Sequence, residues 1–207
     1  MFGVKGYKEA QATSFAGELP KLEPGGYVLK IMAVKVEEND YGTKLALQFD
    51  IAEGENKGFF KKLYDATPDE WEGKKWKGSY RITIPQNKGD DAKYKKSVGF
   101  FKNQIEAFIS SNKNLHIDPE SDWDEQALKG KIVGAVFNEK EWSYNGKTGM
   151  FTQCKRLLAA DDVRSGKFTV PKPDMLPSSA GSSADTSSAP IDISDYVETE
   201  STDEVPF

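Results

Sequence analysis

Hydrophobic and polar positions alternate with period two over several stretches of this chain, which is typical of β-strands with one buried face. The alternation is strict from Lys44 to Ile51, where every second residue is apolar. A β-prone run precedes it from Gly26 to Val36, and the turn-forming residues Asn39-Asp40-Tyr41-Gly42 lie between the two. The pattern therefore predicts an antiparallel hairpin.

Further strands are predicted in the middle and near the end of the chain. Residues 59–64 and 76–84 are rich in aromatic and β-branched side chains, and so are residues 132–142 and 148–158. The last two runs flank Asn145-Gly146, which is a strong local signal for a tight hairpin turn.

Between residues 93 and 111 the apolar spacing changes to three and four residues, which predicts one amphipathic helix. A second, shorter helix is predicted from a capping box that begins at Ser121 to a left-handed stop at Gly130. Residues 161–166 are interpreted as a closing turn.

This order of elements predicts a mainly β fold with one or two helices. A five-stranded Greek-key barrel of the OB-fold type, with a helix between strands 3 and 4, fits it best. A ferredoxin-like α+β arrangement is the alternative. The predicted divisions are an N-terminal arm over residues 1–20, an OB-fold-like domain over 21–170 and a disordered acidic tail over 171–207.

Charge is distributed unevenly along the chain. Residues 175–207 contain seven acidic residues and no Lys or Arg, although the whole chain has a net charge of only -5. Such a charge block is typical of a solvated interaction segment. The segment ends in Asp203, Glu204, Val205, Pro206 and Phe207, and an aromatic ring beside a carboxylate suits an apolar pocket with cationic groups at its rim. These five residues are therefore the predicted partner-binding tip, although a tail that only increases solubility is the alternative.

Signatures of catalysis, cofactors and metals are weak. The chain has one His and one Cys, too few for the common nucleophilic systems. The acidic run at residues 118–125 lacks the glycine of a calcium loop, and Gly146-Lys147-Thr148 lacks the first glycine of a phosphate-binding loop. The sequence thus predicts a non-enzymatic protein without cofactor or metal. Cys154 is the single cysteine, and the sequence shows neither a signal peptide nor a membrane span. The predicted location is therefore the cytoplasm.

Basic and aromatic residues are interleaved between residues 57 and 102, where twelve Lys or Arg and nine aromatic residues accompany six acidic ones. A protein binds single-stranded nucleic acid through cations that contact the phosphates and aromatic rings that stack on the bases. If 59–64 is a strand, Phe60, Lys62 and Tyr64 share its outward face. With the residues of the hairpin tips, the predicted single-stranded DNA contacts are Tyr41, Phe60, Lys62, Tyr64, Lys75, Lys77, Arg81, Trp142, Tyr144 and Lys147.

Two features together resemble known proteins. The tip from Asp203 to Phe207 resembles the acidic, Pro-Phe-terminated end of bacterial single-stranded DNA-binding proteins. Gly26-Tyr27, residues 128–131, Asn145-Gly146-Lys147 and residues 163–168 are similar to segments of the single-stranded DNA-binding proteins that bacteriophages encode for replication and recombination.

The resemblance implies a protein that coats single-stranded DNA with weak sequence preference in the cytoplasm of the host bacterium. It further implies that the C-terminal tip recruits enzymes of replication, recombination or repair. The alternative is an adaptor or acidic DNA mimic that occupies a host protein without binding DNA itself. Neither function involves a membrane, and both leave a homo-oligomer open.

Overall fold

Five antiparallel strands form the centre of the protein, for which a computed structural model describes residues 20–40, 42–67 and 74–176. The strands are β1 (Gly25–Asn39), β2 (Gly42–Ile51), β3 (Ser79–Thr83), β4 (Ile132–Tyr144) and β5 (Lys147–Leu158). They are arranged in the order β3-β2-β1-β4-β5. The mainly β fold class with five strands is therefore confirmed.

Both predicted hairpins are present. The side chain of Asn39 accepts a hydrogen bond from the Gly42 backbone N–H at 3.1 Å and closes the β1–β2 turn. In the β4–β5 turn, Asn145 and Gly146 have φ angles of 47° and 76°. Two consecutive positive φ angles are the geometry that an Asn-Gly pair favours.

The core lies on one face of the sheet, as the alternation in β2 predicts. Leu45, Leu47 and Phe49 are each 1% exposed. The ring of Phe49 contacts that of Phe137 in β4 edge to face, with 6.0 Å between the ring centroids. The apolar side of β2 therefore packs against that of β4, its neighbour beyond β1.

Residues 59–64, predicted as a strand, are helical and belong to α1 (Phe59–Ala66). The prediction is wrong because a carboxylate from β2 determines the local structure. The Asp50 side chain accepts hydrogen bonds from the N–H groups of Phe60 and Lys61 at 2.9 and 3.2 Å. These are the first N–H groups of a helix, which have no partner within the helix itself.

The predicted long helix is confirmed as α2 (Asp91–Ser111), which lies between β3 and β4 in the chain and begins at a cap formed by Asp90. One face of its C-terminal half is buried, with Ile105 and Phe108 each 0% exposed. The strand predicted at residues 76–84 is the shorter β3.

The later helical segments differ from the predicted ones. The second helix is a single 3-10 turn at Glu125–Leu128, capped by Asp124 rather than by Ser121. The Ser121 hydroxyl instead donates to the Asp118 carboxylate at 2.6 Å. The predicted closing turn contains a short helix, α3 (Ala160–Arg164).

All strand pairings are antiparallel, and β3 and β5 lie at the two ends of the order. The helix α1 connects β2 to β3, which pair directly with each other. This meander differs from the ferredoxin-like alternative, in which a helix carries the chain across to a parallel strand. No helix in the described part of the chain is long and apolar enough to cross a membrane.

The predicted boundary between domain and tail falls inside an ordered segment. The isolated bridge between Lys140 and Asp174 places residues near 174 against β4, so the chain stays in contact with the sheet beyond residue 170. Residues 1–19 of the predicted arm and residues 177–207 of the predicted tail, including the tip, lie outside the described residues.

Candidate nucleic-acid interface

The predicted DNA contacts fall in three parts of the fold. The segment formed by α1 and the residues before β3 contains Phe60, Lys62, Tyr64, Lys75 and Lys77. Arg81 lies in β3, and the β4–β5 hairpin contains Trp142, Tyr144 and Lys147. Tyr41 lies outside the described residues.

Phe60 does not face outward, and the prediction of its orientation is wrong. Its side chain is 6% exposed, and its ring meets that of Phe49 edge to face at 5.4 Å. The sorting of residues 59–64 into two faces assumed a period of two, whereas a helix has a period of 3.6. The structure places Phe60 in the core, where it cannot stack on a base.

Tyr64 and Trp76 form the most concentrated aromatic and cationic feature of this region. Their ring centroids are 5.9 Å apart, and the ammonium of Lys74 lies 4.7 Å from the centre of the Tyr64 ring. Tyr64 is 37% exposed. Lys75 and Lys77 flank Trp76 in the chain and are exposed, as is Lys62 on α1. We call these six residues the α1 cluster.

The backbone fixes the position of Trp76. Its indole N–H lies 3.0 Å from both the Phe49 and the Gly78 carbonyl oxygens. A Cβ atom at Gly78 would lie 2.3 Å from the Phe49 carbonyl oxygen, so only glycine permits this approach of the chain to β2. The α1 cluster is therefore attached to the end of β2 and not to a separate loop.

The outer face of β1, β2 and β3 is polar. Cross-strand register aligns Lys35 with Ala46 and Ala46 with Arg81, so these three residues share the face opposite the core. Arg81 is not an isolated cation, because its Nε donates to the Glu37 carboxylate at 2.9 Å. Sequence reasoning did not select Lys35 or Lys44. The strict alternation in β2 placed Lys44 outward and could have identified it.

The β4–β5 hairpin brings an aromatic pair and a cation to its tip. Tyr144 is 48% exposed and lies opposite Lys147, which is also exposed. Trp142 is half-buried and lies opposite Gly149. A Cβ atom at Gly149 would lie 2.8 Å from the indole nitrogen, so the ring lies directly on the glycine backbone.

The α1 cluster and the hairpin tip lie toward the same end of β1. Ile51, at the end of β2, pairs with Leu29, and β4 leaves β1 opposite Gly25 before it continues to its tip. The β1–β2 turn lies at the other end of β1. Apart from Phe60 and Tyr41, the predicted residues therefore form two groups, and Arg81 lies on the polar face of β1–β3 beside them.

Reactive chemistry is sparse in the described region. Within residues 20–40, 42–67 and 74–176, no three His, Cys, Asp or Glu side chains are arranged to hold a metal ion. Burial raises the pKa of the Cys154 thiol, so the sulfur is protonated and a poor nucleophile at neutral pH. The Asp118 carboxylate accepts hydrogen bonds from the Ser121 hydroxyl and the Glu120 N–H, which lowers the pKa of Asp118. Its role is therefore to hold the local turn.

Comparison with known proteins adds no family assignment. No protein-family model matches the chain, and no curated protein matches it. The functional argument therefore depends on the residues and their geometry.

Proposed function

We propose that this protein binds single-stranded DNA with weak base preference. The observation that carries the proposal is the α1 cluster, in which Lys74 lies 4.7 Å from the Tyr64 ring and Trp76 lies beside it. Partly exposed rings among lysines match the needs of a strand with unstacked bases, since every base can stack and every nucleotide carries a phosphate. Low sequence preference follows from this mode of contact.

The topology supports the same proposal. An OB-fold has three meandering strands, then a helix, then a hairpin whose first strand pairs with strand 1. The chain has its elements in this order, and we infer that the sheet is a partly open barrel of this type. In OB-folds the outer face of strands 2 and 3 binds oligonucleotides, together with the loops between strands 1 and 2 and between strands 4 and 5. Here that face contains Lys44, Gln48, Ser79 and Arg81.

Salt dependence tests the electrostatic part of the proposal. If the α1 cluster, the polar face and the hairpin together neutralise about four to six phosphates, the logarithm of the association constant should fall with the logarithm of salt concentration with a slope of roughly -3 to -4. The measurement is a titration of oligo-dT by quenching of tryptophan emission at several salt concentrations. A duplex of the same length is the control and should bind more weakly. If the protein binds duplex and single-stranded DNA equally tightly, or if its affinity does not depend on salt, the proposed single-stranded DNA interface is wrong.

We further propose that the segment from Asp203 to Phe207 recruits enzymes of replication, recombination or repair. The support is its composition, which combines two carboxylates with Val, Pro and an aromatic ring. Deletion of residues 203–207 should abolish binding to a responsive enzyme in a panel of purified bacterial replication, recombination and repair proteins.

Substitution of Ser201 and Thr202 by Ala is the matched control for this deletion and should preserve the binding. If a partner enzyme binds the deleted chain as tightly as the full chain, the recruiting role of the tip is wrong. Binding to oligo-dT is measured on the same proteins. A chain that recruits enzymes but never binds DNA would point to an acidic adaptor instead.

A further inference from the structure

The outer half of the β4–β5 hairpin has little support from the main sheet. Pairing between β1 and β4 ends where Gly25 lies opposite Phe137. From Asn138 to Tyr144, β5 is the only named strand that pairs with β4. An isolated two-stranded ribbon is only marginally stable in water, yet this ribbon positions Trp142 and Tyr144.

A segment near the end of the described chain occupies the exposed edge of this ribbon. We call residues 168–176 the strap. The Asp174 N–H donates to the Glu139 carbonyl and the Asp174 carbonyl accepts from the Glu141 N–H, both at 2.8 Å. This is a parallel bridge across Lys140. The strap therefore supplies a third chain at the point where β1 has ended.

Side chains strengthen the bridge. The Asp174 carboxylate accepts hydrogen bonds from Lys155 at 2.7 Å and from Gln153 at 2.9 Å, both on β5. The Leu176 N–H donates to the Glu141 carboxylate at 2.9 Å. Asp174 thus contacts both strands of the hairpin, and Glu141 is fixed at two points next to Trp142.

The first part of the strap is also anchored. The Phe168 ring lies against Gly26, where a Cβ atom would be 2.5 Å from the ring. Asn138, which is 0% exposed, donates from its side-chain nitrogen to the Lys172 carbonyl at 3.1 Å. The strap therefore runs from the start of β1 to the hairpin as part of the folded domain.

We propose that the strap positions the β4–β5 hairpin for DNA binding, with Asp174 as its positioning residue. The inference rests on the proposed function, because it assigns the hairpin tip a contact with DNA. It also places Leu176, from which the acidic segment continues, at the hairpin, because the Leu176 N–H donates to the Glu141 carboxylate. Lys21 and Leu22 also contact the hairpin, at Glu139 and Thr152. Release of the strap therefore leaves only the part beyond that pair as a two-stranded ribbon, with its rings less well oriented.

Asp174→Pro tests the proposal, because proline cannot donate the hydrogen bond to Glu139. Lys172→Pro is the matched control. In the contacts above Lys172 supplies only its carbonyl, and as the residue before Pro173 it is already confined to extended backbone. We expect hydrogen exchange at the Glu141 amide to become at least about tenfold faster in Asp174→Pro and to stay unchanged in the control. Affinity for oligo-dT should fall at least about fivefold, the lower end of what one stacked base contributes.

Two further variants separate positioning from general destabilisation. Asp174→Asn keeps the backbone bridge and an acceptor for Gln153, so it should restore most of the amide protection and most of the DNA affinity. Asp174→Ala removes only the side-chain contacts and should give an intermediate exchange rate. If the proline variant does not fold, the exchange rate and DNA affinity of Asp174→Ala test the proposal instead. The thermal midpoint of each variant is measured in parallel.

The possible results are distinguishable. Unchanged exchange at Glu141 in both Asp174→Pro and Asp174→Ala would refute the strap as a support of the hairpin. Faster exchange with an oligo-dT affinity equal to that of Lys172→Pro would refute its role in DNA binding. If the wild-type chain does not bind oligo-dT, the proposed function itself is wrong and the positioning role falls with it. The exchange data would then still decide whether the strap stabilises the ribbon.

Discussion

Phe60→Ala should lower the free energy of unfolding by about 3–5 kcal/mol, the usual cost of removing a buried aromatic side chain. The Phe60 ring contacts Phe49 at 5.4 Å, Phe59 at 5.2 Å and Phe137 at 6.5 Å between centroids. It therefore joins α1, β2 and β4 in one aromatic cluster. A loss of this size is a large part of the stability of an ordinary domain. Urea denaturation followed by circular dichroism measures it.

Lys62→Ala is the matched control, since Lys62 lies two residues further along α1 and is exposed. Its effect on stability should stay within about 0.5 kcal/mol. If Phe60→Ala unfolds at the same urea concentration as the wild type and instead weakens binding to oligo-dT, the buried position of Phe60 is wrong. The original interpretation as a stacking platform would then be restored.

The helix at residues 59–66 could not be predicted because its cause is distant in sequence. Period two places Asp50 on the polar side of β2, and nothing local distinguishes it from an exposed strand residue. In the fold it is 8% exposed and accepts from the N–H groups of Ile51, Phe60 and Lys61. Burial of a carboxylate is tolerated when several hydrogen bonds satisfy it. A tertiary contact therefore overrides the strand tendency of Phe59 and Phe60.

Elements with local causes were predicted well. The β4–β5 turn depends on Asn145 and Gly146, whose positive φ angles are a property of those two residue types. The core side of β2 follows from period two, and α2 from its apolar stripe. The start of the second helix was misplaced because two local caps compete. Ser121 forms its hydrogen bond with Asp118, and Asp124 accepts the Gln126 N–H at 2.8 Å instead.

In the candidate site, too, some contacts have local causes and others depend on the fold. Tyr144 and Lys147 face each other because the turn sets the register of their hairpin. The contact between Tyr64 and Trp76 depends on how the chain returns from α1 to β3, which no local pattern specifies. The sequence identifies Arg81 only as a cation, whereas in the fold the Glu37 carboxylate pairs with it and neutralises part of its charge. The residue types were thus readable from the sequence, whereas their partners required the fold.

The double substitution Tyr64→Ala with Trp142→Ala should produce the largest loss of DNA binding. Each ring is expected to contribute about 1–3 kcal/mol per stacked base. Tyr64 contacts Trp76 whereas Trp142 lies against Gly149, so the two rings share neither of these partners and their effects should be nearly additive. The double variant should then lose about 2–6 kcal/mol of binding free energy for oligo-dT, and each single variant about half of that. Equilibrium titration at one fixed salt concentration measures all three.

Phe100→Ala is the matched control because Phe100 on α2 is a similarly exposed aromatic residue outside both groups, 41% exposed against 37% for Tyr64. It should leave the affinity for oligo-dT unchanged. Both stacking variants should also retain the thermal midpoint of the wild type to within a few degrees, since Tyr64 and Trp142 are not fully buried. If all three aromatic substitutions weaken binding equally, the contacts are not confined to the α1 cluster and the hairpin. If the variants lose binding only because they no longer fold, the two rings belong to the packing of the domain. A ring that stacks on a base should be removable without unfolding the sheet.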